Sequence, residues 1–142
     1  MKVGIDIHGV ITEYPAFFSK LSELLMANGH EVYIITGRSW IEVSQEVKDA
    51  NVQYTKQFSI VDYHQQIGTP MTCKNGSWWM DSRLWNSTKG DFCAREGIDV
   101  HFDNDEEYFE YFPHKCLLIP VNKRFTEMTK FVYELIRMKT NE

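Results

Sequence analysis

The strongest constraint on the fold is the alternation of short, apolar, β-rich runs with helical segments along most of the chain. The apolar runs are continuous, a pattern typical of parallel strands that are covered on both faces. The predicted strands are Lys2–Ile7, Val32–Thr36, Ile98–Phe102 and Cys116–Val121. The predicted helices are Pro15–Ala27, Trp40–Ala50, Thr88–Glu96, Asp105–Phe112 and Arg124–Lys139. Right-handed βαβ units of this kind predict an α/β fold, a three-layer αβα sandwich with a mainly parallel sheet.

The middle of the chain is less regular than its two ends. Lys56–Gln66 is predicted to be helical, with Val52–Tyr54 as a candidate short strand before it. Gly68–Trp85 has no clear period, although a strand near Trp78–Met80 fits its aromatic residues. A chain of 142 residues favours a single domain, residues 1–142, in which 68–85 is either a packed irregular loop or a small aromatic lid.

Composition narrows the class of protein. The net charge of -5 disfavours a bulk electrostatic grip on a polynucleotide. The three cysteines, Cys73, Cys93 and Cys116, lack CxxC spacing and fit reduced thiols better than a disulfide framework. The chain begins directly with a predicted strand, and its apolar runs are all much shorter than the ~20 residues of a membrane span. These features predict a cytoplasmic protein without a membrane segment.

Chemically active side chains follow the predicted strands. Asp6 lies at the end of the first strand, Thr36 at the end of the second, and Asp103 at the end of a late strand. Lys89 opens the predicted helix that leads into that late strand. Ligands of parallel α/β sheets bind at the carboxyl ends of the strands, so these groups are expected to share one crevice. Carboxylates, a hydroxyl and an ammonium suit phosphoryl transfer with a hard divalent cation.

Each of these residues also has an ordinary interpretation. Asp6 alone is typical of a turn or a helix cap, Thr36 with Gly37 is typical of a turn, and Lys89 alone is typical of a solvent-exposed lysine on a helix. One residue of Asp103-Asn104-Asp105 is expected to cap the helix that follows. The joint order and the strand-end placement are more specific than any single member.

In this order, the residues resemble the motifs of the haloacid-dehalogenase (HAD) phosphohydrolases over roughly residues 1–120. The resemblance implies that Asp6 is the nucleophile, forms an aspartyl-phosphate and ligates Mg²⁺ together with the backbone carbonyl of His8. It implies that Thr36 and Lys89 bind the phosphoryl group, with Gly37 and Arg38 beside it. It further implies that Asp103 ligates the metal, helped through water by Asn104 or Glu107. A turn-and-flap segment at His8–Phe18 and a small phosphorylated substrate are also implied.

His8 departs from the family pattern, in which a second Asp protonates the leaving oxygen and activates water. Histidine exchanges protons near neutral pH, so His8 is a candidate general acid and base. Two alternatives stay open: a slow or transferase-like site, and a catalytically impaired HAD-fold protein that binds a phosphorylated ligand or partner without turnover. His101 lies inside the late strand and is predicted to be a packed core histidine.

The segments between the motifs bear on the substrate. The stretch between Asp6 and Thr36 is too short for a large cap, whereas the stretch before Lys89 is longer than a minimal crossover. Its surplus carries Trp78 and Trp79, and aromatic rings stack on bases, so a nucleotide is the preferred small substrate. A phosphorylated receiver domain is a poor alternative, because it needs an acidic pair at the first strand and a lysine after the last one.

Overall fold

The computed structural model describes residues 1–140, except for the side chains of residues 132, 133, 135, 136 and 138–140. The main sheet has five parallel strands: β1 (Lys2–Ile5), β2 (Glu31–Thr36), β3 (Lys56–Ser59), β6 (Val100–Asp103) and β7 (Leu117–Pro120). A separate antiparallel hairpin consists of β4 (Thr72–Lys74) and β5 (Ser77–Trp79). The α-helices are α1 (Pro15–Ala27), α2 (Trp40–Asp49), α3 (Ile60–Ile67), α4 (Ser82–Glu96) and α5 (Lys123–Thr140).

The strand order in the main sheet is β3-β2-β1-β6-β7, so the first strand is central. The chain moves outward on one side through β2 and β3 and then returns to the other side of β1 with β6. This reversal makes the carboxyl ends of β1 and β6 the switch point, where ligands of parallel sheets bind.

Two apolar clusters cover the two faces of the sheet. Along β2, Val32 and Ile34 belong to the cluster that also contains Phe18 of α1 and Val43 of α2. Tyr33 and Ile35 belong to the opposite cluster, which contains Cys93 of α4. Because successive strand residues point to opposite faces, this division gives the three-layer α/β sandwich that the sequence predicts.

The prediction of a helix over Lys56–Gln66 is wrong in its first part. Lys56–Ser59 forms edge strand β3, which pairs with β2, and Val52–Tyr54 is not a strand. Strand β3 lies at the edge of the sheet, where it pairs only with β2 and its first two residues are exposed. Polar residues are therefore tolerated in this strand. The Ser59 hydroxyl then accepts a hydrogen bond from the Asp62 N–H (3.1 Å) and caps α3.

Two further elements differ from their predicted bounds. Helix α4 begins at Ser82 and not at Thr88, because the Asp81 carboxylate accepts from the Leu84 N–H (2.9 Å) and caps it there. Lys89 therefore lies in the middle of α4 and does not open it. The short helix after β6 is a 3-10 helix, Glu106–Tyr111.

The hairpin and the segment after β1 complete the description. Asn75 and Gly76 both have positive φ (51° and 77°), as a two-residue hairpin turn requires. After β1 the chain turns over Ile7–Ile11, where His8 and Gly9 have non-helical backbone angles, and α1 starts at Pro15, so the predicted flap His8–Phe18 runs into the helix. Among residues 1–140, no helix has the length and apolar content needed to cross a membrane.

Candidate functional site

Asp6 is the first residue after the central strand. Its N–H donates to the carbonyl of Phe102 on β6 (3.0 Å), which fixes the backbone at the switch point. Its side chain then leaves the sheet at the carboxyl edge, and the residue is only 6% exposed. A nearly buried carboxylate needs a cation or hydrogen-bond donors to offset the loss of hydration.

Lys89 supplies one such cation. Its Nζ lies 3.1 Å from Asp6 Oδ1 and 2.8 Å from Asp103 Oδ2. The ammonium also lies 4.6 Å from the centre of the Tyr108 ring, on the 3-10 helix after β6. Lys89 is 1% exposed, so α4 holds this charge inside the protein and shares it between two carboxylates.

Asp103 has partners for both of its carboxylate oxygens. Oδ2 accepts from Lys89 and from His101 Nε2 (3.0 Å), and Oδ1 accepts from the Asp105 N–H (3.0 Å). The His101 ring is buried, as the sequence predicts, and stacks on Phe112 at 5.1 Å between ring centres. The ionised carboxylate only accepts, so His101 carries its proton on Nε2. The structure therefore gives Asp103 the role of holding Lys89, and the metal ligation predicted for it stays a prediction.

The two carboxylates titrate differently. Burial and the negative charge of Asp103 raise the pKa of Asp6, and Lys89 only partly opposes them. Burial would also raise the pKa of Asp103, but Lys89 and His101 hold it below its usual range. Burial alone would lower the pKa of Lys89, but the two carboxylates outweigh it and raise that pKa. When all three groups are ionised, two carboxylates share one ammonium, and Asp6 is the carboxylate whose ionised form is disfavoured.

Asn104 faces Asp6 across the turn after β1. One end of its amide lies 3.0 Å from the His8 carbonyl oxygen and 3.3 Å from Asp6 Oδ2. If that end is the nitrogen, it donates to both oxygens. If it is the oxygen, three oxygens converge with no proton between them, an arrangement that a hard cation stabilises. Gly9 (φ +80°) is required here, because a Cβ at this position would lie 2.2 Å from the Asn104 amide.

Thr36, Gly37 and Arg38 follow β2 into the same crevice. The Thr36 hydroxyl is fully buried and has no hydrogen-bond partner among the residues that the structure describes. Unpaired buried hydroxyls are costly and uncommon, so this group is a candidate donor to a ligand oxygen. Trp85 packs on Gly37 so closely that a Cβ there would lie 3.0 Å from the indole ring.

His8 lines the crevice, but its ring makes a contact that the sequence did not indicate. His8 Nε2 lies 2.7 Å from Glu46 Oε2 on α2, and both side chains are partly exposed (38% and 43%). The carboxylate accepts from Nε2, which leaves Nδ1 as the ring nitrogen without this partner. A carboxylate on one imidazole nitrogen fixes the tautomer and the ring orientation, as in many His-containing sites.

The crevice thus gathers Asp6, His8, Thr36, Lys89 and Asn104 at one edge of the sheet. Neither the family models nor the curated proteins contain a match to this sequence. The interpretation of the site therefore depends on its own geometry and chemistry.

Three residues at this site were not predicted from the sequence. Glu46, Trp85 and Tyr108 meet their partners only through the packing of α2, α4 and the 3-10 helix around the crevice. The Asn-Gly pair before Trp78 was the one available signal for the hairpin beside the site. Glu107, a predicted helper at the metal, lines a neighbouring chamber under that hairpin.

Proposed function

We propose that this chain is a HAD-type, Mg²⁺-dependent phosphohydrolase that acts on small phosphomonoesters through an aspartyl-phosphate on Asp6. The single observation that carries the proposal is the Asp6–Lys89–Asp103 ion cluster at the switch point of a parallel sheet, beside the unpaired hydroxyl of Thr36. A nucleophile, a buried cation and a free donor are the groups that transfer of a phosphoryl group requires.

The chain's own residues fit each step. The Asp6 carboxylate attacks phosphorus, the bond from phosphorus to the leaving oxygen breaks, and His8 donates a proton to that oxygen. Water then attacks the same phosphorus, His8 takes its proton, and inorganic phosphate departs from a regenerated Asp6. Lys89 and the Thr36 hydroxyl support the oxygens of the phosphoryl group as its charge redistributes.

The residues also fit a hard divalent cation. Asp6 Oδ2, the His8 carbonyl and, when its amide oxygen faces them, Asn104 offer three oxygens, and the two carboxylates of the ion cluster share a single ammonium beside them. Where side chains are described, no group of three or more His, Cys, Asp or Glu could hold a metal, which disfavours an all-protein cage. Mg²⁺ typically keeps several waters and uses few carboxylates, and when bound it would neutralise phosphate charge.

The proposal is tested by phosphate release from a panel of phosphomonoesters with Mg²⁺ and with a chelator. Release is expected with Mg²⁺ only, because the substrate phosphate adds negative charge to a cluster in which two carboxylates already share one ammonium. Asn104→Ala should weaken Mg²⁺ binding measured by calorimetry, with Asn122→Ala, which caps the exposed start of α5, as a matched control. Metal-independent release, or no release from any ester, would contradict the proposal.

A second candidate function is binding of a phosphorylated ligand without turnover. The observation that favours it is the His8–Glu46 contact, which already engages Nε2 of the ring with a carboxylate of α2. Substitution at position 8 separates the two functions.

His8→Ala is expected to slow turnover by about 10²–10⁴-fold with a poor leaving group, the usual contribution of a positioned acid or base. An activated ester, whose leaving group needs no proton, should be affected much less in its first step. His8→Asp should retain or raise activity, since it restores a carboxyl acid and base. Equal rates for wild type and His8→Ala with a poor leaving group would remove His8 from proton transfer. An inert wild type with an active His8→Asp variant would support the binding function.

A further inference from the structure

A second cavity adjoins the phosphate crevice. It has a volume of about 390 Å³ and lies under the hairpin β4–β5, between Trp78, Met80 and Trp85. Arg38 and Trp85 line both this chamber and the crevice, so the two spaces are neighbours. Volumes of this size are typical of sites that bury a small ligand. The chamber therefore begins where a substrate's phosphoryl group would end.

Trp85 is fixed as the wall between the two spaces. Its ring packs on Gly37, and its Nε1–H donates to the Tyr108 hydroxyl (3.0 Å). The Tyr108 ring in turn contacts the Lys89 ammonium. Residues of the phosphate crevice therefore hold one edge of the indole, and the same side chain also lines the chamber. Such a preorganised ring binds a flat ligand at a low entropic cost.

The hairpin lines the chamber with two tryptophans that the protein core does not use. Trp78 is half-buried and Trp79 is 61% exposed, on a hairpin whose strands pair only with each other within residues 1–140. Tryptophan is large and apolar, so leaving two of them on a short hairpin costs solubility without adding to the core. Because they line a cavity, their rings can contact a ligand that is bound there.

The charges of the chamber disfavour a multiply charged anion. Its described lining contains one cation, Arg38, and two acids, Glu42 and Glu107. Arg38 lies 3.5 Å from Glu42, and one cation beside two acids gives the chamber lining no net positive charge to hold a second or third phosphate. Lys89 and the Thr36 hydroxyl, by contrast, are placed to receive one phosphoryl group. The chamber suits a neutral, planar group attached to a single phosphate.

We propose that this chamber binds the base of a nucleoside monophosphate, with the ring between Trp85 and Trp78 and the phosphate in the crevice. The inference rests on the proposed phosphohydrolase function and names its substrate class. It follows that adenosine monophosphate should be hydrolysed in preference to glycerol phosphate, and adenosine triphosphate should be a poor substrate. Loss of one base–aromatic stack is expected to change kcat/KM by about 10- to 100-fold.

The test compares wild type, Trp78→Ala, Trp78→Phe and the control Leu117→Ala, an exposed residue of edge strand β7. Trp78→Ala should lower kcat/KM for adenosine monophosphate by about 10- to 100-fold and leave that for glycerol phosphate unchanged. Trp78→Phe should recover most of the loss, and Leu117→Ala should behave as wild type. An equal loss with both substrates, or none, would overturn the chamber assignment while hydrolysis of glycerol phosphate upholds the proposed function.

Binding gives a readout that does not need turnover. Calorimetry of adenosine monophosphate with wild type and Trp78→Ala should show weaker binding to the variant even if no ester is hydrolysed. Weaker binding to the variant, together with no hydrolysis of any ester by wild type, would support the chamber assignment and contradict the phosphohydrolase function. Undiminished affinity in Trp78→Ala, or no affinity in wild type, would overturn the chamber assignment.

Discussion

Lys89→Ala is expected to destabilise the protein by about 3–5 kcal/mol and to slow turnover by about 10²-fold or more. The lysine is 1% exposed and is shared by Asp6 and Asp103, so its removal leaves two buried carboxylates without their cation. The pKa of Lys89 is raised, so its contribution is complete below the ordinary lysine range and is lost only as pH rises through the raised value. The stability difference should therefore be constant between about pH 7 and pH 9.

Urea unfolding and steady-state kinetics together measure both effects of the Lys89 substitution. Lys74→Ala is the matched control, since Lys74 is an exposed lysine of the hairpin and is absent from the ion cluster. The control should unfold at the wild-type urea concentration. If Lys74→Ala shows the loss of stability or activity expected for Lys89→Ala, and Lys89→Ala behaves as wild type, the functional lysine lies on the hairpin.

Asp6→Asn is expected to lower turnover by about 10⁴-fold or more, the scale seen when a nucleophile is removed. Without metal, the same change should stabilise the fold. Because the pKa of Asp6 is raised, its ionised form destabilises the protein, and this penalty appears as pH rises through the raised pKa. The variant should therefore melt at a higher temperature than wild type at pH 7 in chelator, and the difference should shrink on acidification.

Asp103→Asn is the matched control for this stability effect, and the opposite sign is expected. The pKa of Asp103 is lowered, so its ionised form stabilises the fold above the ordinary carboxyl range and the benefit is lost as pH falls. Asp103→Asn should melt at a lower temperature at pH 7. If both asparagine variants lose stability equally, the ionised form of Asp6 does not destabilise the fold.

Sequence alone predicted the sheet and the edge at which its active side chains meet. This was possible because Asp6, Thr36 and Asp103 follow buried parallel strands, whose carboxyl ends share one edge whatever the strand order. Edge strand β3 was missed because its polar residues carry no strand pattern, and pairing with β2 alone holds it in the sheet.

Contacts between distant helices could not be predicted in the same way. Glu46 reaches His8 across 38 residues of sequence, and Trp85 reaches Tyr108 across 23. No local period encodes such pairs, because they depend on how two helices sit on the sheet. The different contacts of Asp103 and Asn104 are likewise set by the direction of the backbone at the end of β6. The Asp103 side chain points to Lys89, and the Asn104 side chain points to the turn after β1.

The central claim is that Asp6 carries the phosphoryl group during turnover, and acid-quenched single-turnover reactions test it most directly. Wild type mixed with a phosphate-labelled ester and Mg²⁺ should yield a transient phosphoryl group on the peptide that contains Asp6. Asp6→Asn should yield none. Phosphate release without any protein-bound phosphoryl group, or label on a different residue such as His8, would contradict the account.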